Sequence, residues 1–121
     1  MNRGTALKWA DHLEKFNTIA GYDNSVLSFH GPDGLLWISP VGVLADFLDP
    51  EAWRHEYRFH GSREWHGEII KIPESWLKKC KIKHDSYELY DKFDHVVGRH
   101  NSRPLGFILA ADWVRENYES I

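Results

Sequence analysis

Between Trp53 and Glu68 the chain reads WRHEYRFHGSREWHGE, setting His55, His60 and His66 among Arg54, Arg58 and Arg63, with Glu56, Glu64 and Glu68 between them. Imidazoles move protons near neutral pH, carboxylates act as bases, and guanidinium groups hold phosphates. Metal-free cleavage of RNA needs these three types: a base for the 2'-hydroxyl, an acid for the leaving oxygen and a cation for the phosphate. His55, His60, His66, Glu68, Arg58 and Arg63 are the candidate catalytic set, with Glu64 beside them. No spacing within the stretch is diagnostic of catalysis. A histidine-rich, solvated face would read the same way.

Recognition asks less of the sequence. Eight Lys/Arg stand against four Asp/Glu from Arg54 to Lys83, and seven against fourteen in the rest of the chain. A net charge of -3 therefore conceals a basic middle, suited to an acidic partner or to charge pairing with the acidic ends. Tyr57, Phe59, Trp65 and Trp76, with Lys78, Lys79, Lys81 and Lys83, are the candidate binding residues. Aromatic and arginine side chains dominate protein hot spots and stack on bases. The leading expectation is a small binding or accessory protein, an inhibitor or interaction module with a protein partner. RNA or another single-stranded nucleic acid is the other partner class, and a His/Glu/Arg ribonuclease is the alternative function.

Zinc binding is a further alternative, because His66, Cys80 and His84 are ligand types that zinc takes. His66-Gly67-Glu68 resembles the first half of the zinc deaminase signature, in which histidine binds metal and glutamate moves protons. The second half, Pro-Cys-x-x-Cys, is missing: Pro73 has no cysteine after it and Cys80 has no partner cysteine. No metal or cofactor is therefore assigned. Arg54 to His60 resembles the Arg-x5-His element of the HEPN ribonucleases, which implies a wholly helical fold with both residues on one helix. Phe29-His30-Gly31 with Leu36-Trp37-Ile38-Ser39 is similar to elements of ADP-ribosyltransferases, but those families place a helix between them, and here a four-residue turn and Leu35 intervene.

The elements that must carry these residues follow from periodicity and breakers. A length of 121 residues suits one domain with one core, and residues 1–121 are read as such. Ala6, Trp9, Ala10, Leu13, Phe16 and Ala20 mark a helix ending near Gly21. Ser25 to His30 and Leu35 to Ser39 flank Gly31-Pro32-Asp33-Gly34 as a hairpin. Ser39-Pro40 and Asp49-Pro50 each open a short helix, the second carrying Trp53 and Tyr57 until Gly61-Ser62. From Trp65 the chain is expected to be a strand through Ile69, Ile70 and Ile72, placing His66 and Glu68 on one face.

A helical turn follows at Pro73 to Leu77, then a solvated lysine edge. Asp85 caps a helix with Leu89, Tyr90, Phe93, Val96 and Val97 inward, stopped at Gly98. Leu105 to Ala110 reads as a central strand buried on both faces, and Asp112 to Tyr118 as the last helix. The sum is an α+β fold: a small antiparallel or mixed sheet packed against three to five helices. The six tryptophans fill a core or offer contact surface. One cysteine suits a reducing, cytoplasmic setting, and no apolar run reaches the length of a membrane span.

Overall fold

Caps and prolines place most of the helices where the sequence predicts them. The computed structural model describes residues 1–55, 61–98 and 105–121. Helix α1 (Arg3–Phe16) buries Ala6, Trp9, Ala10, Leu13 and Phe16, the stripe legible in the periodicity. Helix α2 (Pro40–Leu48) starts on Ser39, whose Oγ accepts the Gly42 N–H at 3.0 Å, with Pro40 fixing the first turn. A Cβ on Gly42 would lie 1.9 Å from the Leu27 carbonyl oxygen, so only glycine lets the helix sit this close to the neighbouring chain. Helix α4 (Ser86–Val97) opens with a reciprocal box between Asp85 and Glu88 and ends at Gly98.

The helices enclose an aromatic core. Trp9 meets Phe93 edge-on at 5.6 Å, and Phe93 meets Trp113 at 5.2 Å. Strands β1 (Gly21–Tyr22), β2 (Ser28–His30) and β3 (Leu36–Ile38) form a mixed sheet in the order β1-β3-β2. The predicted hairpin is β2 against β3, in register Ser28↔Ile38, Phe29↔Trp37 and His30↔Leu36. Strand β1 adds in parallel to β3. Strands β4 (Trp53–His55) and β5 (Arg63–Trp65) make a second, antiparallel ribbon with Trp53↔Trp65, Arg54↔Glu64 and His55↔Arg63 opposed. The whole is one α+β domain, with helix α3 at Glu74–Lys79. Among the described residues, no helix is long and apolar enough to cross a membrane.

Three elements differ from the sequence reading. Leu105 to Ala110 is no strand: helix α5 runs Gly106–Asn117, with Phe107, Ala110, Ala111 and Val114 buried and Leu109 43% exposed. That one-sided burial has helical spacing, which a short apolar run masks. The helix expected after Asp49 is only a 3-10 turn, Pro50–Ala52, because Trp53 pairs with Trp65 across the ribbon and takes the chain into β4. The strand expected beyond Trp65 stops there. His66 (φ 50°) and Gly67 (φ 81°) turn the chain in the left-handed region, and the Trp65 and Glu68 backbones bond reciprocally at 2.8 and 3.0 Å. His66 and Glu68 therefore share no strand face.

Candidate functional site

Alternation along the ribbon decides which of the candidate residues meet. Trp53 and His55 on β4 lie on the same face as Arg63 and Trp65 on β5, while Arg54 and Glu64 lie on the other. His55 is directly opposite Arg63, where cross-strand side chains are close. The ribbon is then stitched to the first sheet through Gly61 and Ser62. The His30 N–H donates to the Gly61 carbonyl at 2.7 Å, and Phe29 bridges Ser62. Gly61 has φ +78°, and a Cβ there would lie 2.3 Å from the His30 carbonyl oxygen. Glycine is required on both counts, conformation and closeness.

This stitch brings His30, a residue absent from the candidate set, against His55: their ring centroids are 5.5 Å apart, tilted by 38°. Together with Arg63, Arg54, Trp53 and Leu36 they line an open cleft of about 340 Å³. Four of the six described lining residues are basic types, and none is a carboxylate. The signal for His30 in the sequence was its place in a hairpin strand beside Gly31, but strand pairing through Ser62 could not be read from it.

Arg63 is held from three sides. Its guanidinium stacks on the Trp53 ring at 4.1 Å, and its Nη1 donates to the buried Ser28 Oγ at 3.1 Å, which itself donates to the Trp37 carbonyl. Burial lowers its pKa and the nearby Asp46 carboxylate acts the other way. Asp46 also accepts the Trp53 indole N–H at 2.9 Å and meets His12 Nε2 at 2.8 Å, fixing the platform on which Arg63 rests. Arg54, exposed at the rim, donates Nη1 to the Glu51 and Trp53 carbonyls.

The His30 pKa is pushed below the usual imidazole range by burial, then by Arg63 and His55. Its Nδ1 is buried and has no hydrogen-bond partner among the described residues. The cleft therefore combines a neutral histidine, an exposed histidine and two guanidinium groups. It can donate hydrogen bonds to an anion.

The other sequence candidates lie elsewhere. His66 sits at the far end of the ribbon, its Nε2 2.9 Å from Asp49 Oδ2 and its ring 5.2 Å from Trp76. Glu68 closes the turn after it. Trp65 is fully buried, with its indole N–H on the Asp49 carbonyl at 2.9 Å, so it is wall rather than contact surface. Trp76 is half-buried beneath Lys79, whose Nζ lies 4.5 Å from its ring. Lys78, Lys79, Lys81 and Lys83 are exposed on and after α3, beyond the His66 end. Tyr57, Arg58, Phe59 and His60 lie outside the described residues, as does the second half of the Arg-x5-His element. Its first half, Arg54, is on a strand, contrary to the helix that resemblance implies.

Among the described residues, no three His, Cys, Asp or Glu side chains come together as metal ligands. His66 is turned to Asp49, and His84 to Glu88 and the Ser120 carbonyl, so the proposed zinc set with Cys80 does not assemble. Cys80 is buried, which raises the pKa of its thiol and leaves little thiolate to react. No protein-family model, curated protein sequence or solved structure matches this chain.

Proposed function

We propose that this chain is a small interaction protein that engages an acidic segment of a partner protein through the cleft between His30, His55 and Arg63. One observation carries the reading: basic groups from three strands line one cleft, and none of its described lining residues is a carboxylate to neutralise them. A cluster of one sign inside a chain of net negative charge creates a local field that steers an anionic partner. Trp53 and Leu36 supply apolar lining between the charges, as recognition surfaces commonly do. An accessory or inhibitory role fits a single domain of this size. Action in a reducing cytoplasm is part of the same reading, supported by the lone cysteine.

Titration with a ten-residue polyglutamate peptide, followed by tryptophan fluorescence, tests it. The expected result is saturable binding that weakens as salt rises and is lost in His55→Ala. Affinity indifferent to salt would contradict an electrostatic surface.

A second reading, metal-independent RNA cleavage, rests on the closeness of the His30 and His55 rings beside Arg63. A neutral imidazole can take the 2'-hydroxyl proton while another protonates the leaving 5'-oxygen. Incubation of the protein with RNA in EDTA tests it. Cleavage abolished by His30→Ala or His55→Ala supports the enzyme, and intact RNA under all conditions removes it.

A further inference from the structure

The basic groups that line the cleft, His30, Arg54, His55 and Arg63, outnumber the two oxygens of a carboxylate. His30 stands on β2, His55 on β4 and Arg63 on β5, so hydrogen bonds to a common ligand would come from three strands. A carboxylate has two oxygens in one plane. A phosphate monoester has three terminal oxygens around a tetrahedral centre and carries about two negative charges at neutral pH.

The positive charge is matched in the same way. Arg63 and Arg54 provide two permanent cations at the cleft, with His55 exposed beside them. Arg63 is also pre-organised: Trp53 fixes the plane of its guanidinium and Ser28 occupies Nη1, while the group retains further N–H donors for a bidentate contact. A fixed planar fork of this kind recognises phosphate at low cost in side-chain freedom. His30 adds an imidazole from β2 to the same lining. Among the described residues, the charged or titratable groups around these donors are Arg54 and His55 from β4, Arg63 from β5 and Asp46 from α2, with Asp46 already committed to Trp53 and His12.

We propose that the cleft binds a phosphate monoester on a side chain of the partner protein, so that the chain distinguishes the phosphorylated from the unphosphorylated segment. This rests on the reading of the cleft as the site for an anionic protein segment. It also commits that reading to one chemistry.

Nuclear magnetic resonance of the ¹⁵N-labelled protein tests it, with O-phospho-L-serine, succinate and uridine 5'-monophosphate as separate probes. O-phospho-L-serine is expected to shift the His30 and His55 ring signals saturably, with affinity about tenfold or more above that of succinate, the gain of charge-assisted bonds to an extra oxygen. His55→Ala, an exposed substitution, should reduce that affinity roughly tenfold while leaving the rest of the spectrum in place. Arg63→Lys keeps the charge and loses the planar fork, and should weaken O-phospho-L-serine more than succinate.

Equal affinity for O-phospho-L-serine and succinate would overturn the phosphate inference and leave the acidic-segment reading standing. Absence of any shift at His30 and His55 with all three probes, together with no binding of the polyglutamate peptide, would overturn both. Clear preference for the nucleotide over O-phospho-L-serine would overturn the choice of a protein source.

Discussion

The two ends of the β4–β5 ribbon are built from similar residues and have opposite fates. At one end His66 faces Asp49 at 2.9 Å and packs against Trp65 and Trp76, so its Nε2 has a partner and its ring has a wall. At the other end His55 faces Arg63 and His30, and among the described residues no carboxylate lines the cleft they share. Histidine and aromatic rings are present at both. What separates them is the neighbour supplied from elsewhere in the chain: Asp49 after α2 at the first, and β2 at the second. A histidine–carboxylate contact ties the first end into the fold, whereas the second gathers basic groups with no carboxylate among its described lining residues.

The comparison breaks most severely if the shared wall is removed. Trp65→Ala should cost about 3–5 kcal/mol in urea unfolding, since Trp65 is fully buried and holds the ribbon against Trp76 and the Asp49 carbonyl. A loss under about 1 kcal/mol would place Trp65 outside the core. Gly61→Ala should cost roughly 1–3 kcal/mol and specifically open the cationic end, because a Cβ there meets the His30 carbonyl at 2.3 Å. The diagnostic readout is loss of the His30–His55 ring proximity in a nuclear Overhauser experiment while the Trp65–Trp76 contact persists.

His66→Ala isolates the neutralised end. Its pair with Asp49 is about one-third exposed on each side, so the loss should fall within about 1 kcal/mol, and ligand binding at the cleft should be unchanged. His55→Ala, exposed at the other end, should change stability by no more than about 0.5 kcal/mol yet weaken anion binding roughly tenfold. Equal effects of the two substitutions on binding would erase the distinction between the ends.

The smallest effect is read through pH. His30 binds protons less readily folded than unfolded, its pKa being lowered by burial and by Arg63 and His55. The unfolded chain therefore takes up more protons as pH falls below about 6.5, and this group's contribution makes stability decline there. His30→Asn should remove that part of the decline, measured as melting temperature between pH 8 and 5. An unchanged pH slope would contradict a half-buried ring that resists protonation in the fold.

Local chemistry made much of the fold legible. Ser39-Pro40, Asp85 with Glu88, and the stripe from Ala6 to Phe16 each satisfy helix ends or a single core face within a few residues, so the sequence alone placed α1, α2 and α4. Gly31 to Gly34 between two apolar runs likewise predicted the β2–β3 hairpin. Leu105 to Ala110 defeated the same reasoning. An unbroken apolar run fits a buried strand or a helix, and only packing against α1 and α4 decides which residues turn inward.

The site was legible by residue type and not by membership. Arg63 and His55 were named from the sequence because cationic and imidazole side chains stood together there, and the ribbon does oppose them. His30 lies 25 positions before His55, and Asp46 and Ser28 carry no signal of their own. Their roles depend on long-range strand pairing at Gly61 and on what approaches Arg63 in space. Sequence by itself determined the composition of the basic middle and the caps. Tertiary structure alone decided that His55 meets His30 while His66 meets Asp49, because backbone pairing, not local propensity, fixes which face of a short strand looks at which neighbour.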